Sequence, residues 1–337
     1  MQRLVGVDVT RGLAVLGMFT AHVGAVEAGF WTSTGWLAVA DGRSAATFAT
    51  LAGLSAALLS GGHHPPPDLH VPRVRIAVRA VLIGAIGIVM AALGTPVAVI
   101  LPGYAVMLTM LLPALGLRRR ALLGLAAIAL ALGPPLLLAV QGSAATATFP
   151  LDLVIGPYYP AAVWIAYLLV GLAVGRLDLR SSDVRRRLAA LGVAGAVLGY
   201  GTGAVALRVL AADRTWWRAL LATHPHANTA PEVVGNLGVV LLVLVGSLVV
   251  ADRWCRAVAP LAATGALALT AYCGHLVAIA LLGPDVVHRP SNLTLAAFVG
   301  VTVSVCWLWR ARWGRGPLER MVHAAAVAAA PAVEVRS

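Results

Sequence analysis

An all-α, polytopic integral membrane bundle of about ten helices, with both termini cytoplasmic, is the fold class that three observations predict. The chain of 337 residues is 60% hydrophobic and only 11% charged, with a mean hydropathy of +0.89. Apolar runs of about 20 residues, the length that crosses a bilayer as a helix, recur along the whole chain. Arginines gather in alternate connections between those runs. This composition excludes a soluble globular protein and leaves no room for a separate soluble domain. The chain reads as one transmembrane domain over 1–313 and a cytoplasmic tail over 314–337, in a multi-pass protein of the plasma membrane.

All 25 basic residues are Arg, against 13 Asp and Glu, giving a net charge of +12. They lie between apolar runs rather than on one face or in one tail, so they report topology and not nucleic-acid binding. Cys255, Cys273 and Cys306 are odd in number and lack metal-ligand spacing, which makes them packing residues. No metal is expected.

The predicted spans fall at 8–29, 43–60, 75–94, 97–117, 120–140, 157–177, 188–208, 231–251, 259–282 and 292–311. Met1-Gln-Arg3 imitates a secretory signal, but Asp8 and Arg11 in the run that follows make it a retained first helix. Pro96, Pro102, Pro134 and Pro135 interrupt the fourth and fifth spans, which membrane helices tolerate where neighbours satisfy the freed backbone. One set of loops carries Arg73 and Arg75, Arg118 to Arg120, Arg176 to Arg187, Arg253 with Arg256, and Arg310 to Arg320. By the positive-inside rule this set is cytoplasmic and the number of spans is even. The connection Val209–Ala230 is the exception, with Arg214, Arg218, Trp216, Trp217, His224 and His226, and it reads as an interfacial lid on the outer face. His63-His64-Pro-Pro-Pro67 reads as a stiff connector, and the Ala-rich stretch Ala324–Pro331 as a frayed end.

Ionisable residues inside the spans point to function, because each costs several kcal/mol in hydrocarbon unless paired or hydrated. Asp8 and Arg11 share a helix face at (i, i+3). His22 lies near the same face about 16 Å further along. Asp8 and Arg11 either serve a ligand or lock neighbouring helices. The second span opens on Asp41, Arg43 and Ser44, with Thr47 and Thr50 below Arg43 at (i, i+4, i+7). The eighth opens on Pro231-Glu232, a plain helix-start pattern, with Asn236 one turn further. The ninth brings Thr270, Tyr272 and His275 to the outer half. Taken alone, His275 reads as a satisfied core residue. Loop charge places His22, Asp41, Arg43, Glu232, Asn236 and His275 together in the outer leaflet, which predicts one polar pocket with histidine as base and acids to orient it. On the inner side Arg75 and Arg79, with Arg11 and Arg118 to Arg120, suit phosphate groups, although most of them also fit the positive-inside signal and anionic lipid.

Five stretches in this order carry a resemblance to a known family: Gly6-Val-Asp8-Val-Thr-Arg11-Gly12 with Met18, Ala40-Asp41 through Gly53-Leu-Ser55, Tyr167 through Gly175-Arg176, Glu232-Val-Val-Gly-Asn236, and Leu269-Thr270-Ala-Tyr272-Cys-Gly-His275. The sequence resembles the membrane acyltransferases typified by heparan-α-glucosaminide N-acetyltransferase, and more closely the bacterial YeiB-type proteins grouped with them. The resemblance implies transfer of an acyl group, acetyl above all, from cytoplasmic acyl-CoA to a hydroxyl or amine of an extracytoplasmic glycan or small molecule. It implies no nucleic-acid partner and leaves a homodimer open. The family's catalytic histidine, in the loop before the Ala-Asp motif, is Trp31 here, so the base falls to His22 or His275. Asp41 or Glu232 would orient it, Arg43 and Asn236 would bind acceptor or oxyanion, and Arg11 and Arg79, with Asp8 beside them, would face the CoA phosphates. A transporter without covalent chemistry is the rival reading, since it too needs intramembrane charges, but no inverted repeat is visible. A scaffold in an envelope complex is the third.

Overall fold

Long apolar runs become helices because hydrocarbon offers the backbone no hydrogen-bond partner but itself. The computed structural model describes residues 3–331, and among them the chain is helical throughout with no strand. In order the helices are α1 (Val5–Val23), α2 (Arg43–Leu59), α3 (His70–Ala91), α4 (Leu101–Leu111), α5 (Arg119–Val140), α6 (Asp152–Ile155), α7 (Ala161–Gly175) and α8 (Ser182–Val209). They continue with α9 (Thr215–Leu220), α10 (Ala230–Arg253), α11 (Ala259–Ala266), α12 (Ala268–Leu282), α13 (Asp285–His288), α14 (Asn292–Trp313) and α15 (Pro317–Ala329). A 3-10 turn, Gly35–Ala40, leads into α2, and another, Leu112–Gly116, extends α4.

Helix occupies each of the ten predicted segments. Five helices, α3, α5, α8, α10 and α14, are long and apolar enough to cross a membrane on their own. The bent pair α11–α12 would make a sixth, while α4 with its extension and α7 are shorter apolar helices. The protein is therefore a helical membrane protein.

Two expectations change. The ninth run is not one straight helix, because α11 and α12 meet at Leu267 with a bend of 80°. Just before the bend, Gly265 lies so close to α1 that a Cβ there would sit 1.7 Å from the Asp8 carbonyl oxygen. The second change is the stretch Ala324–Pro331, which is helical to Ala329 rather than frayed. Helix α15 packs on α3 and α12 with Val322 and Ala326 buried. Arg75 Nε donates to the Ala330 carbonyl at 3.0 Å, and Thr270 donates to the Glu319 carboxylate from its amide at 3.0 Å and its hydroxyl at 2.6 Å.

At the centre, α2 and α7 bury almost their whole lengths, whereas α3, α5 and α14 keep most of theirs on the outside of the bundle. Small residues permit the α2–α7 approach: a Cβ on Gly53 would lie 1.8 Å from the Leu168 carbonyl oxygen, and one on Gly171 would lie 1.9 Å from that of Thr50. Membrane helices associate through such close backbone contact, since lipid is as apolar as any side chain and supplies no hydrophobic drive.

Arg176, just past α7, has a structural task. Its guanidinium donates to the carbonyls of Ala57 (3.4 Å), Ser60 (3.0 Å), Gly62 (2.9 Å) and Leu115 (2.7 Å), and to Ser60 Oγ (2.9 Å). These carbonyls end α2 and the extension of α4, where a helix has no partners of its own to offer. Replacing Arg176 with Ala should lower stability by about 3 kcal/mol, because several buried acceptors lose a charged donor together. Thermal unfolding in detergent measures this, and an unchanged midpoint would mean that water satisfies those carbonyls.

Candidate functional site

Two histidines 253 positions apart meet where α1 ends and α12 passes: His22 Nδ1 lies 3.0 Å from His275 Nε2. The other His275 nitrogen, Nδ1, makes a short hydrogen bond to the Tyr272 carbonyl oxygen. A carbonyl only accepts, so with both rings uncharged Nδ1 of His275 carries its proton and Nε2 offers a lone pair. His22 Nδ1 must then be the donor to it. The remaining nitrogen, His22 Nε2, is left with its lone pair free, which is the form a general base needs. His275 is 3% exposed and gripped by Phe19, at 4.6 Å between ring centroids, and by Tyr272 at 5.0 Å.

His22 lines a cavity of about 180 Å³ with Met18, Ser44, Asp41, Pro96, Tyr158, Tyr159, His226 and Val287. Its walls come from the α1–α2, α3–α4, α6–α7 and α9–α10 connections and from α13, so all of these reach the same end of the bundle. An apolar groove of about 420 Å³ runs between α12 and α14 with His275 on its wall. The imidazole pair thus stands between a polar cavity and an apolar one.

The other predicted residues divide. Asp41 is on the cavity wall, and no ion pair to its carboxylate exists among the described residues. Arg43 meets Asp41 at its backbone rather than its carboxylate: across the turn at Gly42, with φ of 68°, Arg43 Nη1 donates to the Asp41 carbonyl at 3.5 Å. Arg43 Nε instead donates to the Tyr200 hydroxyl at 2.8 Å with the guanidinium over the ring, and Tyr200 donates to Asn236 Oδ1 at 2.5 Å. Asn236 Nδ2 donates to the Tyr167 hydroxyl at 3.0 Å. Arg43 and Asn236 therefore belong to a chain of hydrogen bonds behind the cavity that joins α2, α8, α10 and α7. The hydroxyls of Thr47 and Thr50 bond to the carbonyls of Arg43 and Ala46 in their own helix rather than lining a path.

Glu232, 4% exposed, is likewise one layer back. Its carboxylate accepts the backbone N–H of His226 at 2.9 Å and of Asn228 at 2.7 Å. Both of these residues are left-handed, with φ of 61° and 55°. The helix-start reading of this segment holds as well, with Thr229 capping α10 through the Glu232 N–H and Pro231 in the first turn. Glu232 thus shapes the loop that delivers His226, whose ring lies parallel to Trp164 at 6.2 Å and edge-on to Tyr159 at 5.4 Å. Sequence reasoning saw His226 only as part of a lid. The signal that could have promoted it was its place six residues before a glutamate that opens a span.

At the opposite end, Arg11 donates to Asp8 at 3.1 Å, to Ser55 Oγ at 2.9 Å and to the Gly265 carbonyl at 3.4 Å. Asp8 also receives Arg3 at 2.5 Å. This is the helix-locking arrangement, tying α1 to α2 and α11. Arg79 differs, for its Nε is buried and has no hydrogen-bond partner among the described residues. Trp31 is 93% exposed and does not line the cavity.

Residues 3–211 match the family model of heparan-alpha-glucosaminide N-acetyltransferase, catalytic. The chain belongs to that family. Residues 175–329 also match the model of a family of proteins of unknown function, DUF418. The acetyltransferase match contains His22, Asp41, Arg43 and the cavity walls from the first seven helices, whereas His226, Glu232, Asn236 and His275 lie in the part matched by DUF418 alone. The cavity is therefore assembled from both regions. No curated protein matches the chain.

Proposed function

We propose that the protein is a transmembrane acyltransferase that takes an acyl group, acetyl above all, from cytoplasmic acyl-CoA and passes it to a hydroxyl or amine of an extracytoplasmic glycan or small molecule. The observation that carries this reading is the hydrogen-bonded series Tyr272 carbonyl, His275, His22, which leaves His22 Nε2 unprotonated at the wall of a polar cavity. Membership of an acetyltransferase family supplies the chemistry such a base would serve.

In this reading the helical segments make ten crossings with both termini in the cytoplasm, following the arginine-rich loops. The cavity then opens outward, toward the acceptor. His22 Nε2 takes the proton of the acceptor hydroxyl or amine as that atom attacks the acyl carbonyl. The carbon–sulfur bond breaks and CoA leaves as thiolate, which receives a proton to become the free thiol. His226, across the cavity, stands where a second imidazole can hold the developing oxyanion or deliver that proton. Asp41 lies on the same wall and suits an amine or a hydroxyl-rich acceptor. His275 acts through His22 and is a positioning residue. Arg79 remains for the donor's phosphates, whereas Asp8 and Arg11 are engaged in locking helices together.

Purified protein in liposomes, given radiolabelled acetyl-CoA outside and a glucosamine-type acceptor inside, tests the reading. Acetylated acceptor should form with the parent and not with His22→Ala. Release of the acceptor from the liposomes without acetylation would overturn the reading in favour of a transporter.

A further inference from the structure

Helix α3 carries Arg75 and Arg79 one turn apart on the face that α15 covers, and neither helix offers them a carboxylate. Helix α3 has no acid at all, and Glu319, the acid of α15, gives both oxygens to Thr270. From α15 and the turn before it come His323 and Arg315, both within electrostatic reach of Arg79. His323 is held below its ordinary value, first by burial and then by the positive charges of Arg315, Arg79 and Arg75.

Three guanidiniums and an imidazole repel one another, and among the described residues they are gathered without counter-charge, which has a cost. Arginines that merely mark the cytoplasmic side extend into water and headgroups. Arg79 is half-buried, and its Nε is cut off from water and has no partner among the described residues. A buried, unmade bond of a charged donor is costly, which points to an acceptor that the described residues do not supply.

We propose that α3 and α15 together form a binding site for a phosphate ester, with Arg79, Arg75 and Arg315 as its cations and His323 as a further donor. A phosphate presents several charged acceptors to forked guanidinium donors, which is the chemistry this cluster lacks. Arg75 is already anchored through Nε to the Ala330 carbonyl, so α15 is clamped in place before any ligand arrives. Helix α3 lies in the acetyltransferase-matched region and α15 outside it, so the site exists only where the two matched regions meet. Coenzyme A as the test ligand rests on the acyltransferase reading, whereas the anion site itself does not.

The full-length protein in detergent is titrated with CoA by isothermal calorimetry. Retention of phosphatidylglycerol is then measured after incubation with vesicles of equimolar phosphatidylcholine and phosphatidylglycerol. For Arg79→Gln and Arg315→Gln the dissociation constant of CoA should rise about tenfold or more, and Arg256→Gln, in the connection between α10 and α11, should match the parent. Unchanged CoA binding with loss of phosphatidylglycerol in the same two variants would identify the phosphate as a lipid headgroup and still support the site. If neither ligand responds, the site is overturned. Arg315 has an exposed side chain, so its variant decides the matter even if Arg79→Gln fails to fold. CoA binding by a parent protein that transfers no acetyl group would sink the acyltransferase reading and leave this site standing.

Discussion

His22→Ala should lower acetyl transfer by about 10²–10⁴-fold, the usual contribution of a positioned acid or base. His275→Ala should lower it less, because that ring only fixes which nitrogen of His22 holds the proton. Without His275, His22 loses its partner at 3.0 Å and can present either nitrogen, protonated or not, to the cavity. The double variant should then be no slower than His22→Ala alone, since a residue that acts through another adds nothing once that other is gone. Turnover with saturating donor and acceptor measures all three proteins. Losses that multiply would mean that the two imidazoles act separately. The pH profile gives a second check: the rate of the parent should fall on the acid side, where His22 is protonated, and His22→Ala should lack that limb.

The helices were legible in the sequence because the bilayer imposes a length and the chain is apolar over that length. The common location of His22 and Asp41 was legible too, since loop charge alternates and both belong to the charge-poor side. Contact within the site was less so. His22 and His275 are linked only because α12 passes the end of α1, and that path depends on the bend at Leu267, where neither flanking residue breaks a helix. The roles of Glu232 and Asn236 were displaced by one layer for a similar reason. A carboxylate at a helix start can orient a side chain or bind a backbone, and here it binds the left-handed loop at His226 and Asn228. Helix α15 escaped notice because an Ala-rich stretch has no pattern of its own, and its order comes from Arg75 and Thr270 on other helices.

Glu232 and His226 should separate cleanly in one experiment on stability and rate. Glu232→Gln leaves one oxygen where two backbone N–H groups were bound at 2.9 and 2.7 Å, and it turns an amide N–H toward the other. Losing a charge-assisted bond and leaving a donor unmatched in a buried place should cost about 2 kcal/mol. The loop would then relax from its left-handed turns, which disfavour residues with a Cβ by about 1–2 kcal/mol each. His226→Gly has the opposite effect on the backbone, because glycine accepts φ of 61° without strain. That variant should be as stable as the parent or slightly more so. It nevertheless removes the ring that faces the cavity, and acetyl transfer should fall about 10²-fold. Glu232→Gln should lose both stability and rate, the rate because His226 is no longer held across from His22. Thermal unfolding and turnover on the same preparations read both quantities. A His226→Gly protein that keeps the parent's rate would make the loop a scaffold and leave His22 the only imidazole with a chemical part.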